Sequence, residues 1–197
     1  MSRSDEKAGG LRAVARDAVR QRLADVAMDL FAEHGFETVT VEQIAERAGV
    51  SARTVHRYFP AKEDMVIGML EANGGFVRDA LLARPVDEPA LLSLRAAYTA
   101  LVRRGPHDES RDRTAMRLLS STPSLRARNV EKHLVWAELL TPIVAERLDG
   151  DDTPLRASVL VETSLTAFQQ SMIAWADDPT ERPMAELIDI AFRDLVR

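Results

Sequence analysis

Three features of the 197-residue sequence predict an all-α protein in two parts. Apolar residues recur at three- and four-residue steps along the whole chain. No stretch alternates apolar with polar residues as a half-buried strand does. Gly, Pro, Ser, Thr and Asp signals divide the chain at helix-length intervals. The first part is a three-helix domain over residues 17–62, preceded by a flexible basic arm at 1–16. The second is a larger helical domain over 63–197.

Val19, Leu23, Val26, Ala27, Leu30 and Phe31 form one apolar stripe, and Gly35 ends that helix by supplying a left-handed residue. Thr40 with Gln43 reads as a capping box opening "VEQIAERA", which Gly49 closes. Ser51 is the N-cap of a third helix, Ala52 to Tyr58, and Pro60 breaks it. A long fourth helix follows from about Lys62 to Ala83. Its Gly74-Gly75 pair costs roughly 2 kcal/mol relative to Ala and marks either a kink, hinge or break, or a close approach to a neighbouring element.

After the linker "RPVDEP", helices are expected over about Ala90–Arg104 and Arg111–Ser120, separated by "GPHDES". "STPS" restarts the chain into Leu125–Leu148, with Pro142 as a kink. "DGDDTP" leads to Thr153–Trp175, apolar on most faces and therefore buried on two sides. After "DDPTERP", Met184, Leu187, Ile188, Ala191, Phe192 and Leu195 lie in register on a last helix.

Composition narrows the function classes. There is no Cys, which excludes disulfides and thiolate chemistry. The N-terminal stretch has no apolar core of signal-peptide length, and no apolar run approaches a membrane span, so a cytoplasmic protein is expected. Net charge is −5, but unevenly placed. Residues 1–62 hold ten Lys and Arg against nine Asp and Glu, whereas 63–197 hold sixteen against twenty-two. Arg3, Lys7, Arg12, Arg16 and Arg20 make a loosely basic lead-in.

On a helix advancing about 100° per residue, Val55 and Phe59 point one way, and Arg53 and Arg57 nearly opposite. Thr54 and Tyr58 take one flank, Ala52 and His56 the other. Val41, Ile44, Ala45 and Ala48 offer a wall for the apolar pair. Two short helices joined by a tight Gly turn, packed inside and donor-rich outside, make a helix-turn-helix. Such donors suit a DNA major groove: guanidinium forks match guanine O6 and N7, while hydroxyls and ammonium groups reach phosphates. Lys62 is positioned to add a phosphate contact.

"TVTVEQIAERAGVSARTVHRYFPAKEDM" resembles the helix-turn-helix segment of the TetR family of bacterial transcriptional regulators. Gly49, Val50, Ser51, Thr54, Phe59, Lys62 and Glu63 match the family pattern, and "LFAEHGFETVT" matches its first-helix ending. His56, Tyr58 and Ala61 depart from it, standing where Tyr, His and a capping Ser are frequent. The resemblance implies a homodimeric DNA-binding repressor on a near-palindromic operator, released by a small molecule. It implies phosphate contacts from Thr40, Thr54, Tyr58 and Lys62. It implies base contacts from Arg53, Ala52 and His56, with Arg57 in either role and Ser51 at the head of the segment.

The second part shows no catalytic grouping, so no enzyme is expected. His34, His56, His107 and His133 are scattered, no Gly-x-Ser-x-Gly elbow occurs, and no metal or cofactor is implied. Tyr98, Met116, Trp136, Leu140, Phe168 and Met172, large residues on different helices, are the candidate lining of a ligand cavity. "MRLLSSTPSLRARNVEKH" resembles TetR-family C-terminal domains of the acyl-CoA-like ligand-binding type. That implies an apolar or acyl-CoA-like effector with Arg126 or Arg128 near its charged end. The last two helices are expected to form the homodimer. The competing reading is an all-helical small-molecule-binding protein or enzyme without DNA binding; no membrane partner is expected.

Overall fold

The computed structural model describes residues 3–104 and 108–196, as backbone alone over 3–13 and 69–72. Gly105, Pro106 and His107 of the "GPHDES" break lie outside the described residues. Among the described residues there are nine helices and no strand. The chain divides into two compact units, Met1–Val66 and Ile67–Arg197, a few residues beyond the border expected at residue 62.

In the first unit, α1 spans Arg3–His34. It takes in residues 3–16, the expected N-terminal arm, whose backbone is helical. From Leu11 to His34 the chain contains neither Gly nor Pro and is rich in Ala, Leu and Arg, so nothing local stops the helix. Gly35 follows at φ 84°, a conformation that an L side chain resists. α2, Val41–Ala48, opens on the complete capping box of Thr40 and Gln43 and closes on Gly49 at φ 71°. α3, Ala52–Tyr58, is capped by Ser51 and ends at Phe59. α2 packs on both α1 and α3. Leu23, Ala27, Phe31, Ile44, Val55 and Phe59 are among the residues of the core so formed.

In the second unit, α4 (Asp64–Leu82, its first turn belonging to the first unit) runs unbroken through Gly74-Gly75. Its start is closed without a capping Ser: the Asp64 N–H donates to the Ala61 carbonyl at 3.2 Å, and the Ala61 N–H donates back to the Asp64 carboxylate at 2.9 Å. α5 spans Ala90–Val102, α6 Glu109–Ser121, α7 Pro123–Ala145, α8 Thr153–Ala176 and α9 Met184–Phe192. Asp108 moves the start of α6 ahead of the expected Arg111 by accepting the Arg111 N–H. α7 is helical across Pro142.

α8 is the central helix, packed against α5, α6, α7 and α9. That explains why its sequence is apolar on most faces. α9 packs on α5 and α8, and Leu187, Ile188 and Phe192 of its stripe are buried there. Two helix ends are closed by arginines from afar. Arg147 Nη2 donates to the Leu81 carbonyl at 2.6 Å, beyond the reach of the helix's own N–H groups. Arg117 Nη2 donates to the Ala176 carbonyl at the end of α8, also at 2.6 Å. Among the described residues no helix is long and apolar enough to cross a membrane.

Candidate nucleic-acid interface and ligand core

α3 is seven residues long, too short to be stable alone, and its orientation is set by what it buries. Val55 is 0 % exposed and Phe59 1 %, whereas Arg53, His56 and Arg57 are exposed. Ala52, Thr54 and Tyr58 are half-buried on the flanks. The two-faced helix expected from spacing is therefore present. Ser51 Oγ accepts the Thr54 N–H at 3.1 Å and lies 3.0 Å from the Thr54 hydroxyl. Thr40 Oγ1 accepts the Gln43 N–H at 3.3 Å, and Gln43 Oε1 accepts the Thr40 N–H at 2.9 Å. The Glu42 carboxyl, in the first turn of α2, is held below the usual carboxylate range by its backbone N–H and then by the Thr40 hydroxyl.

Arg20, one of the basic residues of the lead-in, fixes α3. Its Nη1 donates to the Tyr58 carbonyl at 3.2 Å, and its guanidinium lies 4.6 Å from the Phe59 ring centroid. The available signal was its position three residues before Leu23, which places it beside the buried stripe of α1. Arg57 lies 5.3 Å from the Tyr58 ring centroid, so the outer edge of α3 is partly self-supporting.

Lys62, a candidate phosphate contact, has its ammonium turned into its own unit. It donates to the carbonyls of Phe36 at 2.7 Å, Val39 at 3.3 Å and Glu37 at 3.4 Å, and sits 4.4 Å from the Phe36 ring centroid. An ammonium has three N–H donors, and all three are engaged. The carbonyls lie 23–26 residues away in sequence, which no local pattern reveals.

In the second unit the six candidate ligand residues are all buried. Tyr98 stacks on Phe168 at 4.5 Å between centroids, and Trp136 lies 6.4 Å from the same ring. The structure thus brings these three together, from α5, α8 and α7. Leu140 lies one turn beyond Trp136 on α7, Met172 one turn beyond Phe168 on α8, and Met116 is buried on α6. The Tyr98 hydroxyl is 3.0 Å from Ser164 Oγ, which itself donates to the Val161 carbonyl. Burial pushes the Tyr98 phenol well above its ordinary value, so it stays neutral.

Sequence reasoning missed the polar part of this core. Asn129 and Lys132 are 3 % and 2 % exposed and stand seven and four residues before Trp136, on the same stripe of α7. Lys132 Nζ lies 5.0 Å from the Trp136 ring centroid. Trp136 Nε1 and Asn129 Oδ1 are buried without a hydrogen-bond partner. Each such orphan costs about 1–3 kcal/mol. By contrast Arg126 and Arg128, expected near a charged ligand end, are exposed, and Arg128 pairs with Glu131 at 2.6 Å. The stripe that turns Asn129 and Lys132 inward turns these two outward.

Trp136 also explains Gly74. A Cβ at Gly74 would stand 2.8 Å from Trp136 Nε1 and 3.0 Å from its Cδ1, while at Gly75 it would meet nothing within 4 Å. Of the two readings of the pair, close approach holds for Gly74.

Comparison with known proteins agrees with both units. Residues 23–69 match the model described as bacterial regulatory proteins, tetR family, and residues 88–197 match the model described as MftR C-terminal domain. A Mycobacterium tuberculosis protein named for transcriptional regulation of mycofactocin biosynthesis, MftR, is 29% identical over 179 residues, spanning 90% of this chain and 89% of its own. The Streptomyces glaucescens HTH-type transcriptional regulator TcmR is 32% identical over 163 residues, spanning 78% and 72%. Among solved structures, Thermus thermophilus FadR, a TetR-family repressor in complex with lauroyl-CoA, is 25% identical at TM-score 0.56, covering 90% of this chain and 93% of its own.

Proposed function

The chain belongs to the TetR family of bacterial regulatory proteins, and from that premise we propose that it is a cytoplasmic homodimeric repressor whose α3 enters the DNA major groove. As a member of that family it is a transcriptional regulator and not an enzyme. The observation that carries the proposal is the division of α3: Val55 and Phe59 are buried, and Arg53, His56 and Arg57 are left outward on a helix that cannot turn without exposing the pair. Arg53, with Ala52 and His56, faces bases in this reading. Thr40, Ser51, Thr54 and Tyr58 lie along the phosphates, and Arg57 serves either role. Lys62 is a positioning residue that ties the loop after α1 to the start of α4.

A two-fold dimer presents two such helices to a near-palindromic operator. Dimerisation through the last two helices draws on their outward apolar residues, Leu155 and Val159 of α8 and Ile190 of α9. The effector is a small apolar or acyl-type molecule taken up among Tyr98, Trp136, Phe168 and their neighbours. The lauroyl-CoA complex of the FadR relative supports that class. Release from DNA requires two arrangements of α4, and its contact with Trp136 at Gly74 is where an effector registers on that helix.

The test is binding to the DNA flanking the chain's own gene, followed by fluorescence anisotropy over a salt series. Arg53→Ala is expected to cost about 1–3 kcal/mol in operator affinity and to relax preference at one base pair. Equal weakening on every sequence would reassign Arg53 to a phosphate, and absence of any salt-dependent binding would refute the proposal.

A further inference from the structure

The three rings of the ligand core lie close to parallel: Tyr98 and Phe168 are 7° apart, Trp136 and Phe168 17°. Together they carry two polar hydrogens. Ser164 Oγ gives its own hydrogen to the Val161 carbonyl, so the 3.0 Å contact with Tyr98 is the phenol donating to Ser164. That hydrogen is used. The other, on Trp136 Nε1, is buried without an acceptor, on a residue 2 % exposed. An indole N–H donates only and carries no charge, so no change of protonation can satisfy it. The packing at Gly74 shows how the ring is held. A Cβ there would stand 2.8 Å from Nε1, 3.0 Å from Cδ1 and 3.3 Å from Cε2. Three distances so nearly equal put Gly74 over the face of the pyrrole ring. In line with the N–H bond, the Cβ would be far closer to the nitrogen than to the two carbons beside it. α4 therefore fixes the indole by its face, and the N–H points along that seat, not into it.

We propose that the Trp136 indole N–H anchors the effector by a neutral carbonyl oxygen, and so distinguishes a ketone, ester or thioester from a hydrocarbon of the same length. The oxygen takes the N–H, and the apolar remainder lies against the Phe168 and Tyr98 rings. A carbonyl is a good neutral acceptor, so it satisfies the orphan without bringing a charge into the core. A hydrocarbon leaves the donor unmatched, and a site built to donate rejects the analogue that lacks the acceptor. Because Gly74 lies on the face of the same ring, a carbonyl that captures its edge bears on the contact between α7 and α4. This rests on the proposed effector role of the core and names the polar group its ligand must carry.

The experiment titrates the full-length protein, isotope-labelled on nitrogen, with 2-octanone, octanoyl-CoA and 1-octene, following the indole N–H signals by NMR in parallel with release of labelled operator DNA. The chain has two tryptophans, Trp136 and Trp175, so there are two such signals. Trp136→Phe assigns them, or Trp175→Phe should the first not fold. The Trp136 N–H proton is expected to move downfield with 2-octanone or octanoyl-CoA and to lack that move with 1-octene. A response to both supports any carbonyl as the anchored group; a response to octanoyl-CoA alone supports a thioester. Trp136→Phe keeps a ring and removes the N–H. In the folded variant, affinity for the responding carbonyl compound should fall about fivefold, and affinity for 1-octene should not fall. Binding of neither carbonyl compound, the same downfield move with 1-octene, or an unchanged carbonyl affinity in folded Trp136→Phe would each overturn the anchor. Operator release by a carbonyl compound that leaves the Trp136 signal in place overturns the anchor and keeps the effector role. A captured Trp136 N–H with the operator complex intact keeps the anchor and overturns the effector role instead.

Discussion

Gly74 and Gly75 are adjacent in the same helix, yet replacing each by Ala should affect stability differently, with a gain expected at Gly75 only. Both substitutions remove the backbone freedom of Gly in a helix interior, a gain of about 1 kcal/mol. At Gly75 nothing offsets it, since a Cβ there meets no atom within 4 Å. At Gly74 the new Cβ falls 2.8 Å from Trp136 Nε1, with Cδ1 at 3.0 Å and Cε2 at 3.3 Å. The indole is 2 % exposed and flanked by Phe168, so it cannot swing aside into solvent. Overpacking of this kind costs about 1–3 kcal/mol. Gly74→Ala should therefore range from neutral to about 2 kcal/mol destabilised, and Gly75→Ala should be stabilised by about 1. For a chain of this length each kcal/mol shifts the melting temperature by about 2–4 °C. Urea and thermal unfolding followed by tryptophan fluorescence report on the relevant unit, because both tryptophans, Trp136 and Trp175, lie in it. Combining Gly74→Ala with Trp136→Phe should recover part of the loss. If Gly74→Ala is as stabilising as Gly75→Ala, the indole does not abut α4 and the close-approach explanation is refuted.

Two other expectations follow from the same geometry. Lys62→Met removes three charge-assisted hydrogen bonds to carbonyls and should lower stability by about 1–3 kcal/mol while leaving the salt dependence of operator binding unchanged; a slope reduced by about one phosphate's worth would restore the phosphate role. Burial first, and then Lys132, lowers the His133 pKa to about 4, so the unfolded chain takes up its proton at about 6.5, before the folded one does. Stability from this group is therefore full above that pH and declines as pH falls toward about 4. His133→Gln should flatten the decline in urea unfolding measured between pH 7.5 and 4, and an unchanged profile would refute the burial argument.

What the amino-acid sequence determined by itself is the part whose signals are local. The reciprocal cap of Thr40 and Gln43, the left-handed Gly49 and the Ser51 cap each act within about four residues. For that reason α2 and α3 could be bounded to the residue, and the outward edge of α3 could be read from Val55 and Phe59 alone. A helical period says which stripe is buried but not what lies opposite. Only the tertiary structure decided that Lys62 turns back to carbonyls beyond α1, that Gly74 is a seat for Trp136 rather than a break in α4, and that Asn129 and Lys132 share the aromatic core. It also showed α9's stripe buried against α5 and α8. These contacts join residues tens of positions apart, and packing density, not propensity, selects among them. Local rules set where helices begin and end; the long-range fit of their faces set which polar groups were left buried.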